Sequence, residues 1–136
     1  MYVANHFTQG TKSFGPGNVV VYPPDGKSPS RTITNDVASP VGLTVDATGT
    51  LYVTNETQNN VQEYRLGQSH RYQTITQDID TPFAVTVDSK GYLYVTDNLK
   101  SVVVEFPPGS ITPSKREINK GLFEPAGVAY HPALLP

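Results

Sequence analysis

The chain has 136 residues, enough for one small domain with a buried core, and 37% of them are hydrophobic. Without cysteine it has neither a disulfide framework nor a thiolate metal site. A net charge of -2 argues against a nucleic-acid surface, and no apolar run is long enough to span a membrane.

Comparing the chain with itself shows how its elements are organised. At a spacing of 42 residues Leu51-Tyr52-Val53-Thr54-Asn55 returns as Leu93-Tyr94-Val95-Thr96-Asp97, and Met1-Tyr2-Val3-Ala4-Asn5 is an earlier copy. Pro40-Val41-Gly42-Leu43-Thr44-Val45-Asp46 returns as Pro82-Phe83-Ala84-Val85-Thr86-Val87-Asp88, then as Pro125-Ala126-Gly127-Val128-Ala129-Tyr130-His131. Tyr22, Tyr64 and Phe106 share one position, and Ile33, Ile75 and Ile118 share another.

Four kinds of strand-like segment, a to d, follow from this pattern. In chain order, residues 1–5 are a first b segment. A polar, glycine-containing stretch over residues 5–17 carries Phe7 and Phe14, and makes the first b-to-c interval longer than the other two. Residues 19–22 form c, stopped by Pro23-Pro24-Asp25-Gly26, and residues 31–34 form d. Residues 41–46 are the first a segment, with Val41, Leu43 and Val45 on one face. Gly42 and Thr44 lie on the other, where small side chains allow close backbone approach. Ala47-Thr48-Gly49 is a tight turn into b at 50–54, followed by c at 60–64 and d at 71–76. The next unit repeats the order: a at 82–88, the turn Ser89-Lys90-Gly91, b at 93–97, c at 101–106 and d at 115–119. Residues 125–130 are a last a segment, and no helical pattern competes.

The ordered pattern proline-x-glycine-leucine-x-valine-aspartate at 40–46, a glycine turn, leucine-tyrosine-valine-threonine-asparagine at 51–55 and valine-x-x-tyrosine at 61–64 resembles the NHL-repeat β-propeller family. The resemblance covers almost the whole chain. It implies an all-β propeller of four-stranded antiparallel blades, with segment a at the axis and segment d at the rim. It also implies similarity in fold to the propellers of streptogramin lyases and lactone hydrolases. It implies no particular reaction.

The expected organisation is one domain over residues 1–136, reading b-c-d, a-b-c-d, a-b-c-d, a. That is three blades' worth of strands, whereas closed propellers contain about four to eight blades. The first blade lacks its inner strand, and residues 125–130 are a surplus one. A C2 homodimer is expected, in which each final segment completes the first blade of the other chain and two chains close a six-bladed ring. The competing reading is a fragment of a longer propeller gene.

Alternate connections between antiparallel strands emerge on one face, so the b-to-c and d-to-a loops should gather at one mouth. Asn5, His6, Asn55, Glu56, Asp97 and Asn98 follow equivalent b segments. With Phe7 and Phe14 of the long loop they are the candidate ligand-binding residues. Their amide, carboxylate and imidazole groups suit a divalent cation, as in lactone hydrolases of similar fold. The competing reading is that they close polar turns through local hydrogen bonds. His70 reads as an outer-strand surface residue, His131 as a junction residue, and Asp46 and Asp88 as turn formers. The repeated aromatics read as blade packing. No nucleotide cradle, His-Glu-x-x-His site or serine elbow occurs.

The functional expectation is a noncatalytic scaffold that binds a protein, glycan or small molecule without a cofactor. The alternative is a metal-dependent hydrolase or lyase using a divalent cation at the axial mouth, through Asn5, Glu56 and Asp97. Neither nucleic acid nor a membrane is an expected partner. The start of the chain lacks the features of a signal peptide, so a soluble chain is expected, secreted or periplasmic if a leader has been lost.

Overall fold

The computed structural model describes residues 1–9 and 14–131, except for the side chains of Gln9, Phe14 and Gly15. The described residues form three blade-like antiparallel sheets. The first holds β1 (Tyr2–Asn5), β4 (Asn18–Val21) and β5 (Arg31–Ile33), in that order. The second holds β6 (Pro40–Val45), β7 (Leu51–Asn55), β8 (Asn60–Tyr64) and β9 (Gln73–Ile75). The third holds β10 (Pro82–Val87), β11 (Leu93–Asp97), β12 (Val102–Phe106) and β13 (Glu117–Ile118). Within the long first loop, β2 (Thr8–Gln9) and β3 (Phe14–Gly15) pair as a small hairpin that the sequence did not signal. The inner strands β6 and β10 lie side by side and β1 lies against β6, so the sheets fan out from a common line. Among the described residues no helix is long and apolar enough to cross a membrane.

The core lies between the sheets. Val19, Ile33 and Val37 of the first unit meet Leu51, Val53 and Tyr64 of the second. One repeat later, Tyr52, Val61, Ile75 and Ile79 meet Val85, Leu93, Val95 and Phe106. The strand alternation explains the division: Leu51 and Val53 face one neighbour while Tyr52 faces the other, so every residue of β7 is buried. Each such aliphatic side chain contributes roughly 1.5–3 kcal/mol when fully buried.

Both a strands depart from strict strand geometry. A bulge falls between Pro40 and Leu43 in β6 and between Pro82 and Val85 in β10. The hydroxyls of buried Thr54 and Thr96 fill the gaps, accepting from the Gly42 N–H at 2.7 Å and the Ala84 N–H at 2.8 Å. Thr54 Oγ1 also lies 2.7 Å from the Phe83 carbonyl, to which it donates across the gap between sheets. A Cβ on Gly42 would stand 2.5 Å from that same carbonyl, so glycine is required there. The bulge also separates Val41 from Leu43: Leu43 packs between the sheets, whereas Val41 lines a cleft near the axis. The expectation that the two share a face is corrected by that extra residue.

The rim strands are shorter than the sequence suggested, because each has a neighbour on one side only. Residues 125–130 form no strand in the single chain. The inner edges of β7 and β11 are already occupied by β6 and β10, and the remaining b strand, β1, lies on the opposite flank.

Candidate functional site

The ends of the b strands and the loops feeding the a strands lie at one end of the fan, joined by side-chain bonds. Asn55, with no exposed surface, donates from Nδ2 to the Asp36 carbonyl and to Asn60 Oδ1, both at 3.0 Å, and accepts from the Ala38 N–H at 3.2 Å. Asp97 is equally buried and accepts from the Asp80 N–H at 2.7 Å and the Lys100 N–H at 3.0 Å. Lys100 Nζ stands 3.9 Å from the same carboxylate. These two candidates lock loops together and leave little for a ligand to engage.

The residue after each of them is placed differently. His6 Nε2 and Glu56 Oε2 lie 4.0 Å apart, both part-exposed, forming an ion pair when the imidazole is protonated. They flank a cleft of about 310 Å³ whose other walls are Ala4, Pro40, Val41 and Phe83. The Phe7 ring packs edge-on against His6, with centroids 4.1 Å apart at 68°. Asn98, the third equivalent, is half-buried and its N–H bonds the Thr81 carbonyl at 3.0 Å. Asn5 is exposed and donates to Asn18 Oδ1 at 2.9 Å. The Phe14 side chain lies outside the described part, as do residues 10–13 of the same loop.

The long loop returns to the frame through Gly17, with φ of +97°. A Cβ there would sit 2.5–2.7 Å from the His6 and Asn5 carbonyls and from Pro40 Cδ. Only glycine passes at that point, and its approach to the backbone of His6 fixes one wall of the cleft.

Sequence reading singled out His6 and Glu56 and missed the apolar walls of the cleft they flank. Val41 and Phe83 occupy the same repeat position, but the bulge that turns them toward the axis has no local signature beyond the buried Thr54 and Thr96. A second unforeseen feature is Glu63, only 4% exposed, whose carboxyl burial and the Asp46 charge push up to about 7. It lies across from Tyr52 in the strand pairing, on the same flank of the second sheet. A larger cleft of about 410 Å³ runs along β12 and β13, where Lys100 and Arg116 stand near Asp78 and Glu117. It arises because β13 is too short to cover its neighbour. Among the described residues no three acidic or histidine side chains come together as a metal-binding group.

No family model and no curated protein matches the chain. Solved structures match it in part. Hydrazine synthase of Kuenenia stuttgartiensis superposes with a TM-score of 0.69 at 17% identity, covering 81% of this chain and 32% of that one. Apo AztD from Citrobacter koseri gives 0.62 at 22% identity, covering 81% and 31%. A chain of the nidogen/laminin complex gives 0.63 at 21% identity, covering 76% and 38%. At these identities the likeness is one of fold, and the chain spans about a third of the length of each.

Proposed function

We propose that the chain belongs to a propeller scaffold of the NHL type, closed as a six-bladed ring, that binds its ligand noncatalytically at the axial mouth. The observation that carries this reading is the contrast between adjacent positions. Asn55 and Asp97 are consumed by the frame, whereas His6 and Glu56 set an imidazole and a carboxylate over Val41 and Phe83. A concave apolar floor with a few convergent polar groups is the usual form of a binding site. That donor set favours a ligand bearing a positive charge or hydrogen-bond donors on an apolar stem, such as a side chain of a partner protein or an amine-bearing small molecule. Likeness to a chain found in a protein–protein complex supports a scaffold role.

Chemical-shift mapping on the ¹⁵N-labelled chain, with a library of amine- and amide-bearing fragments, tests this reading. Shifts are expected to gather at His6, Val41, Glu56 and Phe83 and to vanish in the double variant His6→Ala, Glu56→Gln. Shifts that persist in the double variant, or that gather along the outer cleft near Lys100 and Arg116, overturn it.

A further inference from the structure

The two interfaces inside the fan use the same positions. One sheet contributes Leu51, Val53 and Tyr64, or one repeat later Leu93, Val95 and Phe106, none more than 3% exposed. The facing sheet contributes Val19, Ile33 and Val37, or Val61, Ile75 and Ile79. On the outer flank of the first sheet, the first set recurs as Met1, Val3 and Tyr22, with Met1 68% and Val3 36% exposed. On the outer flank of the third sheet, the second set recurs as Val103, Ile118 and Leu122. Residues 128–130 lie over that flank around a cleft of about 370 Å³ that also includes Tyr94, the counterpart of Tyr52. The chain therefore carries one half of a further sheet interface on each side, and the halves are complementary.

Asn5 provides an independent observation. Its bond to Asn18 matches the bond of Asn55 to Asn60. Asn55 also ties down the loop leading into its own inner strand, through the Asp36 carbonyl and the Ala38 N–H. For Asn5 the matching groups are the Gly121 carbonyl and the Phe123 N–H, on the far flank of the same chain. Gly121 already has the left-handed backbone of Asp36, with φ of 76° against 55°.

We infer that a second copy of this chain covers both flanks, residues 125–130 of each copy pairing as the inner strand on β1 of the other. The register of β6 on β7 puts Val128 opposite the partner's Val3, Ala129 opposite the partner's Tyr2 and Pro125 opposite the partner's Asn5. Asn5 then bonds the loop around the partner's Gly121 and Phe123. The inference rests on the ring reading. It removes the two open flanks and the exposed edge of β1, and it gives the mouth its second half.

Sedimentation equilibrium of the full chain at micromolar concentrations is expected to give a dimer. Gly127→Ala is the informative variant. In the single chain nothing lies within 4 Å of a Cβ at Gly127, whereas its counterpart Gly42 faces a carbonyl at 2.5 Å. The substitution should weaken association by about tenfold or more, roughly one factor of ten in Kd, and leave the circular dichroism of the dissociated chain unchanged. Ala4→Thr should tighten association, since it restores the hydroxyl that Thr54 offers Gly42. A folded full chain that stays monomeric, or a dimer indifferent to Gly127→Ala, overturns the inference. A tandem fusion of two copies separates this failure from failure of the ring. If the single chain is monomeric and the fusion is markedly more stable, the ring stands and association of two separate copies is overturned. If the fusion gains nothing, both fall.

Discussion

Glu63 and Glu105 occupy the same position in consecutive sheets, yet only Glu105 meets a cation, the Nη1 of Arg116 at 3.1 Å. Both are buried, at 4% and 6% exposure. At the position of Arg116 the second sheet has Gln73, whose Nε2 reaches Glu63 Oε1 at 3.5 Å. Burial and the charge of Asp46 then push the Glu63 carboxyl up to about 7.

A pH dependence follows from that shift. The folded state holds the Glu63 proton more tightly than the unfolded chain, whose carboxyl has its ordinary value of 4.5. The stabilisation is fully present below that value and is lost as pH rises through about 7. At about 1.4 kcal/mol per unit, the loss by pH 8 is on the order of 3 kcal/mol. Urea unfolding at pH 5 and pH 8 is expected to show this decline in the native chain and to lack it in Glu63→Gln. An equal decline in both would assign the dependence to another group.

Gln73→Arg is the converse change. A guanidinium at that position should pair with Glu63 as Arg116 pairs with Glu105, lowering the Glu63 carboxyl and stabilising the fold at pH 8 by about 1–2 kcal/mol. At pH 4 the carboxyl is protonated and the same variant should gain little. A gain of equal size at both pH values would mean that the arginine acts by packing.

The strand order was legible because it rests on periods written into the sequence. Leu51 and Leu93, Tyr52 and Tyr94, and Ile33, Ile75 and Ile118 mark buried positions wherever a neighbouring sheet is present to bury them. The candidate site was legible only in part. Its polar residues stand out as the varied positions after the b strands, but whether an Asn faces a ligand or the frame depends on loops distant in sequence. Asn55 is consumed by Asp36 and Ala38 of the preceding connection, which its own neighbours do not reveal. Val41 and Phe83 were hidden by the bulge, since alternation assigns them to the packing face. Residues 125–130 carry the motif of an inner strand, but a strand exists only where an unpaired edge is within reach.

Asp46 illustrates the turn chemistry at the opposite end of the fan. Its Oδ1 accepts from the Thr48 N–H and hydroxyl at 2.8 and 2.7 Å and from the Thr50 N–H at 2.9 Å, and Tyr52 donates to Oδ2 at 3.2 Å. Burial opposes ionisation, but these bonds together outweigh it and hold the carboxyl below its ordinary value. Its contribution is therefore present above 3.8 and is lost as pH falls further. Asp46→Ala should cost about 1–2 kcal/mol at neutral pH, since a half-exposed turn can recruit water. Thermal unfolding at pH 7 checks this; no change in melting temperature would mean that the turn holds without the carboxylate.

Asn55 and Asp97 provide the sharpest test of the frame, because one position carries an amide and the other a carboxylate for a discernible reason. Asn55 faces two acceptors, the Asp36 carbonyl and Asn60 Oδ1, so it must donate. In the third sheet Val102 replaces Asn60, which removes one acceptor, and Asp97 receives two backbone N–H groups with Lys100 nearby. Asn55→Asp should thus set a buried carboxylate against two oxygen acceptors and destabilise the fold by about 3 kcal/mol or more. Asp97→Asn should cost less, about 1–2 kcal/mol, because an amide retains one accepting oxygen. Adding Val102→Asn to Asp97→Asn restores the partner that Asn55 has and should recover part of the loss, a coupling that a double-mutant cycle reads directly. Urea unfolding of the native chain, of Asn55→Asp, Asp97→Asn and Val102→Asn, and of the double variant, with hydrogen exchange at the Ala38 and Asp80 amides, measures all of this. Equal costs for Asn55→Asp and Asp97→Asn, with no coupling to position 102, would mean that these side chains do not hold the loops through the bonds described.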